Sequence, residues 1–174
     1  NSPIFPTKSP IVIYFDTKYF GFHPSEGMQI DLKNQSWIIL DLLTEQTFDN
    51  ITISWETAYG KKYSWQYSDN NETWTTFYTQ NNSTGGLDDT VLLSEPITAQ
   101  YLRLLLNERA TQWPYSIFEI AIYNLTNYNI AYQVPVYASS EQTDYSISNI
   151  NDGNINTRWI AEDVSPTLVL EDLS

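Results

Sequence analysis

Cysteine is absent from this 174-residue chain, which excludes a disulfide framework and any thiolate metal site. Basic residues are scarce: eight Lys and Arg stand against twenty-one Asp and Glu, for a net charge of −13. A surface of that sign repels phosphate backbones and anionic lipid heads, so nucleic-acid partners are excluded and polyuronate or sulfated ligands disfavoured. Neutral or cationic partners remain. Long apolar runs are missing too. No stretch of eighteen such residues occurs, so no membrane-inserted helix is expected, and the N-terminus lacks a signal-peptide pattern, placing any export signal upstream or already removed. The single histidine, His23, lies beside Pro24 and reads as a loop residue. Without a second His, a Cys or a Gly-x-Ser-x-Gly elbow, triad chemistry has no visible base. The adjacent carboxylates Asp88-Asp89, Glu162-Asp163 and Glu171-Asp172 would point to opposite faces of a strand and cannot pair as acid and base. The chain is not expected to be an enzyme.

Aromatic side chains are plentiful, with thirteen Tyr and six Trp, enough for strand packing and for a stacking surface besides. Period-two patterning recurs from Ile51 to Tyr123. Ile51, Ile53 and Trp55 alternate with Thr52, Ser54 and Glu56. Tyr63-Ser-Trp-Gln-Tyr-Ser68 and Tyr101-Leu-Arg-Leu-Leu-Leu106 continue the pattern, and turn chemistry at Ser68–Asn71, Thr84–Gly86 and Glu95-Pro96 separates the runs. These features predict antiparallel strands with one buried face, hence an all-β sandwich or barrel.

The order of several landmarks carries a resemblance. Trp55-Glu56-x-Ala58-Tyr59-Gly60, Ser68-Asp69-Asn70-Asn71-x-x-Trp74, Gly85-Gly86-x-Asp88-Asp89, Tyr101-Leu102-Arg103 and Trp113-Pro114-Tyr115-Ser116-Ile117-Phe118-Glu119 resemble the discoidin, or factor V/VIII type C, family. That family includes the family 32 carbohydrate-binding modules. The resemblance implies a discoidin-like (galactose-binding-like) antiparallel β-sandwich or jelly roll.

An internal repeat complicates the architecture. Trp37-Ile-Ile-Leu-Asp-Leu-Leu43 has a counterpart in Leu168-Val-Leu-Glu-Asp-Leu-Ser174. Ahead of the second copy, Ala138-Ser-Ser-Glu141 and Asn149-Ile-Asn-Asp-Gly-Asn-Ile-Asn-Thr-Arg-Trp159 resemble the opening of a discoidin module. Two organisations compete. In the first, residues 1–124 form one module, 125–135 a linker and 136–174 the opening third of a second. In the second, the late segment completes the first module, as in a circular permutant. Because both copies of the repeated strand would contend for one slot in the sheet, the tandem is preferred here. Residues beyond Ser174 that repeated Trp-Glu-x-Ala-Tyr would establish it.

Three constellations follow. Trp113 precedes Pro114 and should sit in a loop, where its face can stack on the C–H side of a pyranose. In similar modules the Glu of the Trp-Glu-x-Ala-Tyr motif, a loop aromatic and a nearby basic residue face the glycan, which implies Glu56, Trp113 and Arg109. Strand alternation independently points Glu56 away from the core. Tyr115 is read as structural. Similar modules also direct the Arg of Thr-Arg-Trp and an acid after Ser-Ser to ligand, here Arg158 and Glu141, against the plainer reading of a turn-holding ion pair. At the aligned position of the first opening stands Gly27, without that arm. The third is a metal site. Asp152, Asn154 and Thr157 offer carboxylate, carbonyl and hydroxyl oxygens at loop spacing, and the resemblance implies a structural Ca²⁺ completed by a Glu late in the module. That Glu is Glu119 in the permuted organisation, whereas in the tandem it lies past residue 174. An Asx-type turn without metal explains the same residues.

These readings predict a non-catalytic carbohydrate-binding module that holds a neutral or cationic oligo- or polysaccharide. It would be extracellular or on a cell surface, beside catalytic or adhesive domains of a longer chain. A protein-interaction or adhesion module without sugar binding is the alternative. Asn34, Asn50, Asn71, Asn81, Asn82 and Asn124 head Asn-x-Ser/Thr sequons, which become glycosylation acceptors only in a eukaryotic secretory pathway.

Overall fold

The computed structural model describes residues 36–162, all within one compact unit spanning 32–163. His23, Asn34, Gly27 and the repeat copy at 168–174 lie outside the described residues. Among the described residues the strands are β1 (Ser36–Trp55), β2 (Gly60–Ser68), β3 (Thr75–Gln80), β4 (Asp89–Arg109), β5 (Ser116–Asn124), β6 (Val136–Ala138) and β7 (Trp159–Ile160). They hydrogen-bond in the order β3-β2-β4-β1-β5-β7, with β6 also on β1. Every strand pairing is antiparallel.

Two long strands turn this ladder into a sandwich. The first part of β1, Ser36 to Asp41, pairs Tyr101 to Leu106 of β4, and the later part, Gln46 to Ile53, pairs Asp89 to Ala99. Between Asp41 and Gln46 the register breaks. Leu43 lies in this break with φ of +68°, and its N–H donates to Asp41 Oδ1 at 2.8 Å. An irregularity of this kind bends a strand and lets it pass from one sheet to the other. One layer is therefore β3-β2-β4-β1-β6, built on the outer ends of the long strands. The other is β4-β1-β5-β7.

Alternation supplies the core between them. Ile38 and Leu40, Ile51, Ile53 and Trp55, Tyr63 and Trp65, and Leu102, Leu104 and Leu106 are buried at every second position and belong to one cluster. Each such side chain contributes roughly 1.5–3 kcal/mol on leaving water. Trp55 also has a polar anchor, since its Nε1–H donates to Asp89 Oδ2 at 2.9 Å. The Ser83 hydroxyl donates to the same oxygen at 2.7 Å.

Residues 136–162 lie on this body. Val136–Ala138 pair with Leu40–Ile38, and Trp159 and Ile160 pair with Ile117 and Ser116. Ile150, Trp159 and Ala161 join the core cluster. The stretch 125–135, expected as a linker, carries Ala131 fully buried in that cluster. Asn151 fastens it, donating through Nδ2 to the carbonyls of Ala131 at 2.8 Å and Val134 at 2.9 Å.

Candidate functional site

Several chain ends converge at one pole of the sandwich. β1 ends at Trp55 and β2 begins at Gly60, while β4 ends at Arg109 and β5 begins at Ser116. Gly60 pairs with Arg109, Glu56 N–H donates to Ser116 O at 3.1 Å, and Ala161 N–H donates to Tyr115 O at 2.9 Å. The loops 56–59 and 110–115 and strand β7 therefore share one rim.

Trp113 stands at this rim with 64% of its surface exposed. Its N–H donates to Thr111 Oγ1 at 3.2 Å, which shapes the loop and leaves the indole in solvent. Tyr115, two residues on, is buried as its structural reading requires. Burial pushes its phenol well above the usual range, against the nearby positive charge of Arg109. Arg109 Nη1 donates to Gln112 O at 3.4 Å, tying strand to loop. On the β2 side, Lys61 and Lys62 bracket Glu108 at 3.1 and 2.7 Å.

Glu56 sits at the mouth, half-buried, and its Oε2 accepts the Ala58 N–H at 2.9 Å. Burial alone would raise its carboxyl. The N–H groups of Ala58 and Thr57, the Thr57 hydroxyl and the positive charge of Arg158 outweigh that and leave it below the ordinary value. Arg158 immediately precedes β7, which pairs with Ser116 and Ile117 just beyond the 110–115 loop, so the late segment brings it to the same rim. Arg158 lies with Cζ 4.9 Å above the Tyr145 ring, and its buried Nε has no hydrogen-bond partner.

Beside β7 opens a cleft of about 340 Å³ lined by Glu141, Gln142, Thr143, Asp144, Tyr145 and Glu162. Three of those six carry carboxylates. Gln142 closes the cleft onto β7, its N–H reaching Ile160 O at 3.0 Å and its Nε2 reaching Ala161 O at 3.1 Å. Glu141 Oε2 accepts the Ile147 N–H at 2.6 Å, where it caps the short 3₁₀ turn Ile147–Asn151. One oxygen of Glu141 thus has a structural task. Sequence reasoning missed Asp144 and Tyr145, and weighed Glu162 only as half of an unproductive carboxylate pair. The available signal was the density of acids around a Tyr four residues after Glu141.

The metal candidates gather at a second cluster. Gly153, with φ of +77°, turns the loop where a Cβ would come within 2.9 Å of the Tyr132 ring. Its N–H donates to Glu119 Oε1 at 3.3 Å. Asp152 Oδ1 accepts the Asn154 N–H at 2.8 Å, and Asp152 Oδ2 accepts the Thr157 hydroxyl at 2.8 Å. That hydroxyl also lies 2.6 Å from Asn154 O, so Thr157 is engaged within the turn. Glu119 is different. Its Oε2 is buried without a hydrogen-bond partner, and burial, together with the negative charge of Asp152, pushes its carboxyl up to about 7 against the N–H groups of Gly153 and Asn154. An orphaned carboxylate oxygen beside a second carboxylate suits a hard cation. Only two carboxylates meet there, and no group of three His, Cys, Asp or Glu that could hold a metal occurs among the described residues. Asn154 and main-chain oxygens would complete the shell.

The sequons divide by position. Asn71, Asn81 and Asn82 are exposed in turns. Asn50 lies inside β1 with a buried Oδ1, and Asn124 Oδ1 accepts from Thr126 and Tyr128.

Fold and rim together define an antiparallel β-sandwich of the discoidin class, with an exposed indole and charged groups on loops at one pole. The chain belongs to the F5/8 type C domain family, whose model matches residues 18–120. No curated protein sequence matches it. Among solved structures it is similar to chitosan-binding module 1 from a chitosanase/glucanase of Paenibacillus sp. IK-5. The identity is 33%, over 51% of this chain and 67% of that one, at a TM-score of 0.47. Module 2 of the same enzyme, in complex with chitotriose, is 29% identical over 51% and 69%, also at 0.47. The family 32 carbohydrate-binding module of Streptococcus pneumoniae EndoD is 19% identical over 52% and 71%, at 0.46.

Proposed function

We propose that this chain is a non-catalytic carbohydrate-binding module, and that its ligand is a glycan bearing protonated amino groups. What supports the reading is an exposed indole, Trp113, on a loop tied to Arg109 through Gln112 O, at the rim where Glu56 N–H meets Ser116 O and where Arg158 immediately precedes β7. An indole face stacks on a pyranose, and the charged groups hydrogen-bond its hydroxyls. The cleft beside β7 adds the negative charge of Glu141, Asp144 and Glu162, which favours an ammonium and opposes a uronate or sulfate. In this reading residues 136–162 complete the module that 36–124 begin, because Arg158 and the cleft come from the late segment. The module serves a longer extracellular or cell-surface protein by holding it against its polymer, raising local substrate concentration without chemistry of its own. Affinity electrophoresis tests this. Retardation is expected in chitosan and not in pectin or sulfated galactan, and migration unaffected by every polysaccharide overturns the reading.

Binding should follow Glu56. Its depressed carboxyl stays ionised at pH 5, so affinity holds there and falls only below about pH 4.3, the ordinary Glu value, as pH drops through the group's own lower pKa. The Glu56 contribution to stability behaves alike, being present above the unfolded value and lost as pH falls through the folded one. Calorimetric titrations from pH 6 to 3.5 check this. Affinity that halves between pH 6 and 5 would show that another group governs.

A structural Ca²⁺ fits the second cluster, where Glu119, Asp152 and Asn154 would hold it. The ion would supply positive charge that lets both carboxylates stay ionised. At a hundredfold excess over Kd such binding stabilises by about 2.7 kcal/mol, a rise in Tm of roughly 10 °C for a body of this size. Adding Ca²⁺ to chelator-treated protein should give that rise, and Glu119→Gln should abolish it. Equal melting with and without the ion argues for the metal-free turn.

A further inference from the structure

We propose that Tyr145 is a positioning residue that holds the Arg158 guanidinium on its ring, keeping its N–H donors available to the glycan site and out of an ion pair. The inference rests on the glycan-binding reading for its consequence, although the placement itself is independent of ligand. Glu56 couples to Arg158 through its charge, and the cleft beside Tyr145 carries Glu141, Asp144 and Glu162. An ion pair with one of these carboxylates is the alternative placement for the guanidinium. Yet Arg158 is in neither of the salt bridges seen among the described residues, which join Lys61 and Lys62 to Glu108. Arg158 has a ring 4.9 Å from Cζ instead. Its Nε is buried and unpartnered, and its backbone carbonyl is fixed by Asn149 Nδ2 at 2.9 Å.

The backbone that carries the ring is held at both its N–H and its C=O. Tyr145 N–H donates to Gln142 O at 2.9 Å, and Tyr145 O accepts from Ile160 N at 3.4 Å, which locks the loop to β7. Attraction to a π face is directional but leaves the in-plane N–H groups of a guanidinium available, unlike a bidentate carboxylate that occupies two of them. A sugar hydroxyl or ring oxygen can then accept from Arg158 while Glu56 accepts from the sugar. Tyr145 thereby decides whether the site presents a separated acid and base or a self-neutralised pair.

Nuclear magnetic resonance of the ligand-free protein tests the placement, and titration with a soluble glucosamine trisaccharide tests the consequence. The Arg158 δ-methylene and Nε–H signals should be shifted upfield by the ring in the parent and in Tyr145→Phe, and should lose that shift in Tyr145→Ala. Trisaccharide affinity should fall roughly tenfold in Tyr145→Ala and in Arg158→Ala, with no further fall in the double variant, while Tyr145→Phe binds as the parent does. A parent without the ring shift overturns the proposal, as do fully additive losses. A parent that shows the shift but binds no amino sugar sinks the glycan reading and leaves the Tyr145 placement standing.

Discussion

Trp159→Ala is expected to cost about 3–5 kcal/mol of stability, the usual penalty for truncating a fully buried indole. Trp159 has no exposed surface, pairs with Ile117 of β5 and donates from Nε1 to Ser140 O at 3.0 Å. Truncation would remove its contacts with the shared core and leave that carbonyl without its donor. The prediction also distinguishes the two organisations read from the sequence. Were 136–174 the opening of a separate module, a change at Trp159 would leave the unfolding of the 36–124 body untouched. If the late segment completes the module, one cooperative transition shifts as a whole. Urea denaturation followed by fluorescence and far-UV circular dichroism measures this. A loss under 1 kcal/mol, or two transitions of which only one moves, would return the case to the tandem.

Much of the fold was legible because a half-buried sheet writes itself at period two. Ile51, Ile53 and Trp55, then Tyr63 and Trp65, then Leu102, Leu104 and Leu106 are buried where alternation places them. What the pattern did not contain was continuity. Trp37–Leu43 and Ile51–Glu56 read as separate strands, whereas the structure runs them together as β1, joined through the register break near Leu43. The break is a backbone event, with Leu43 at positive φ, and nothing in the residue type announces it. Pairing partners are likewise invisible in a local pattern. The preference for a tandem came from two copies of one strand competing for a slot, and the copy at 168–174 falls outside the described residues.

The site was legible where backbone and solvent alone decide. Trp113 is exposed because the residue before a proline in a connecting loop has no core to enter. Glu56 follows the buried Trp55 at the very end of β1, where the chain leaves the sheet and its carboxylate turns onto the Ala58 N–H. Glu141 was harder. Its Oε2 meets the Ile147 N–H, an encounter set by how the chain returns after six residues. The link between Glu56 and Arg158 depends entirely on where residues 136–162 dock. Tyr145 was overlooked for the same reason, since a ring beneath a guanidinium thirteen residues away leaves no mark in composition.

Trp113→Ala is expected to leave stability unchanged and to remove most of the glycan affinity. The two tryptophans make a matched pair, because Trp113 is 64% exposed where Trp159 is fully enclosed. Covering about 100 Å² of indole face with a sugar ring at 25 cal/mol per Å² is worth about 2.5 kcal/mol. At about 1.4 kcal/mol per decade that loss weakens binding roughly sixtyfold. For a shallow site that begins in the micromolar-to-millimolar range, the variant should run through chitosan gels without retardation. Trp113→Phe, which keeps a smaller face, should retain a measurable part. The thermal midpoint should stay within about 1 °C of the parent, as surface substitutions usually change stability by less than 0.5 kcal/mol. If Trp113→Ala binds amino sugars as the parent does, while Arg158→Ala does not, the glycan lies in the acidic cleft beside β7 and never crosses the indole. If neither substitution matters, the pole of loops is not where this module meets carbohydrate.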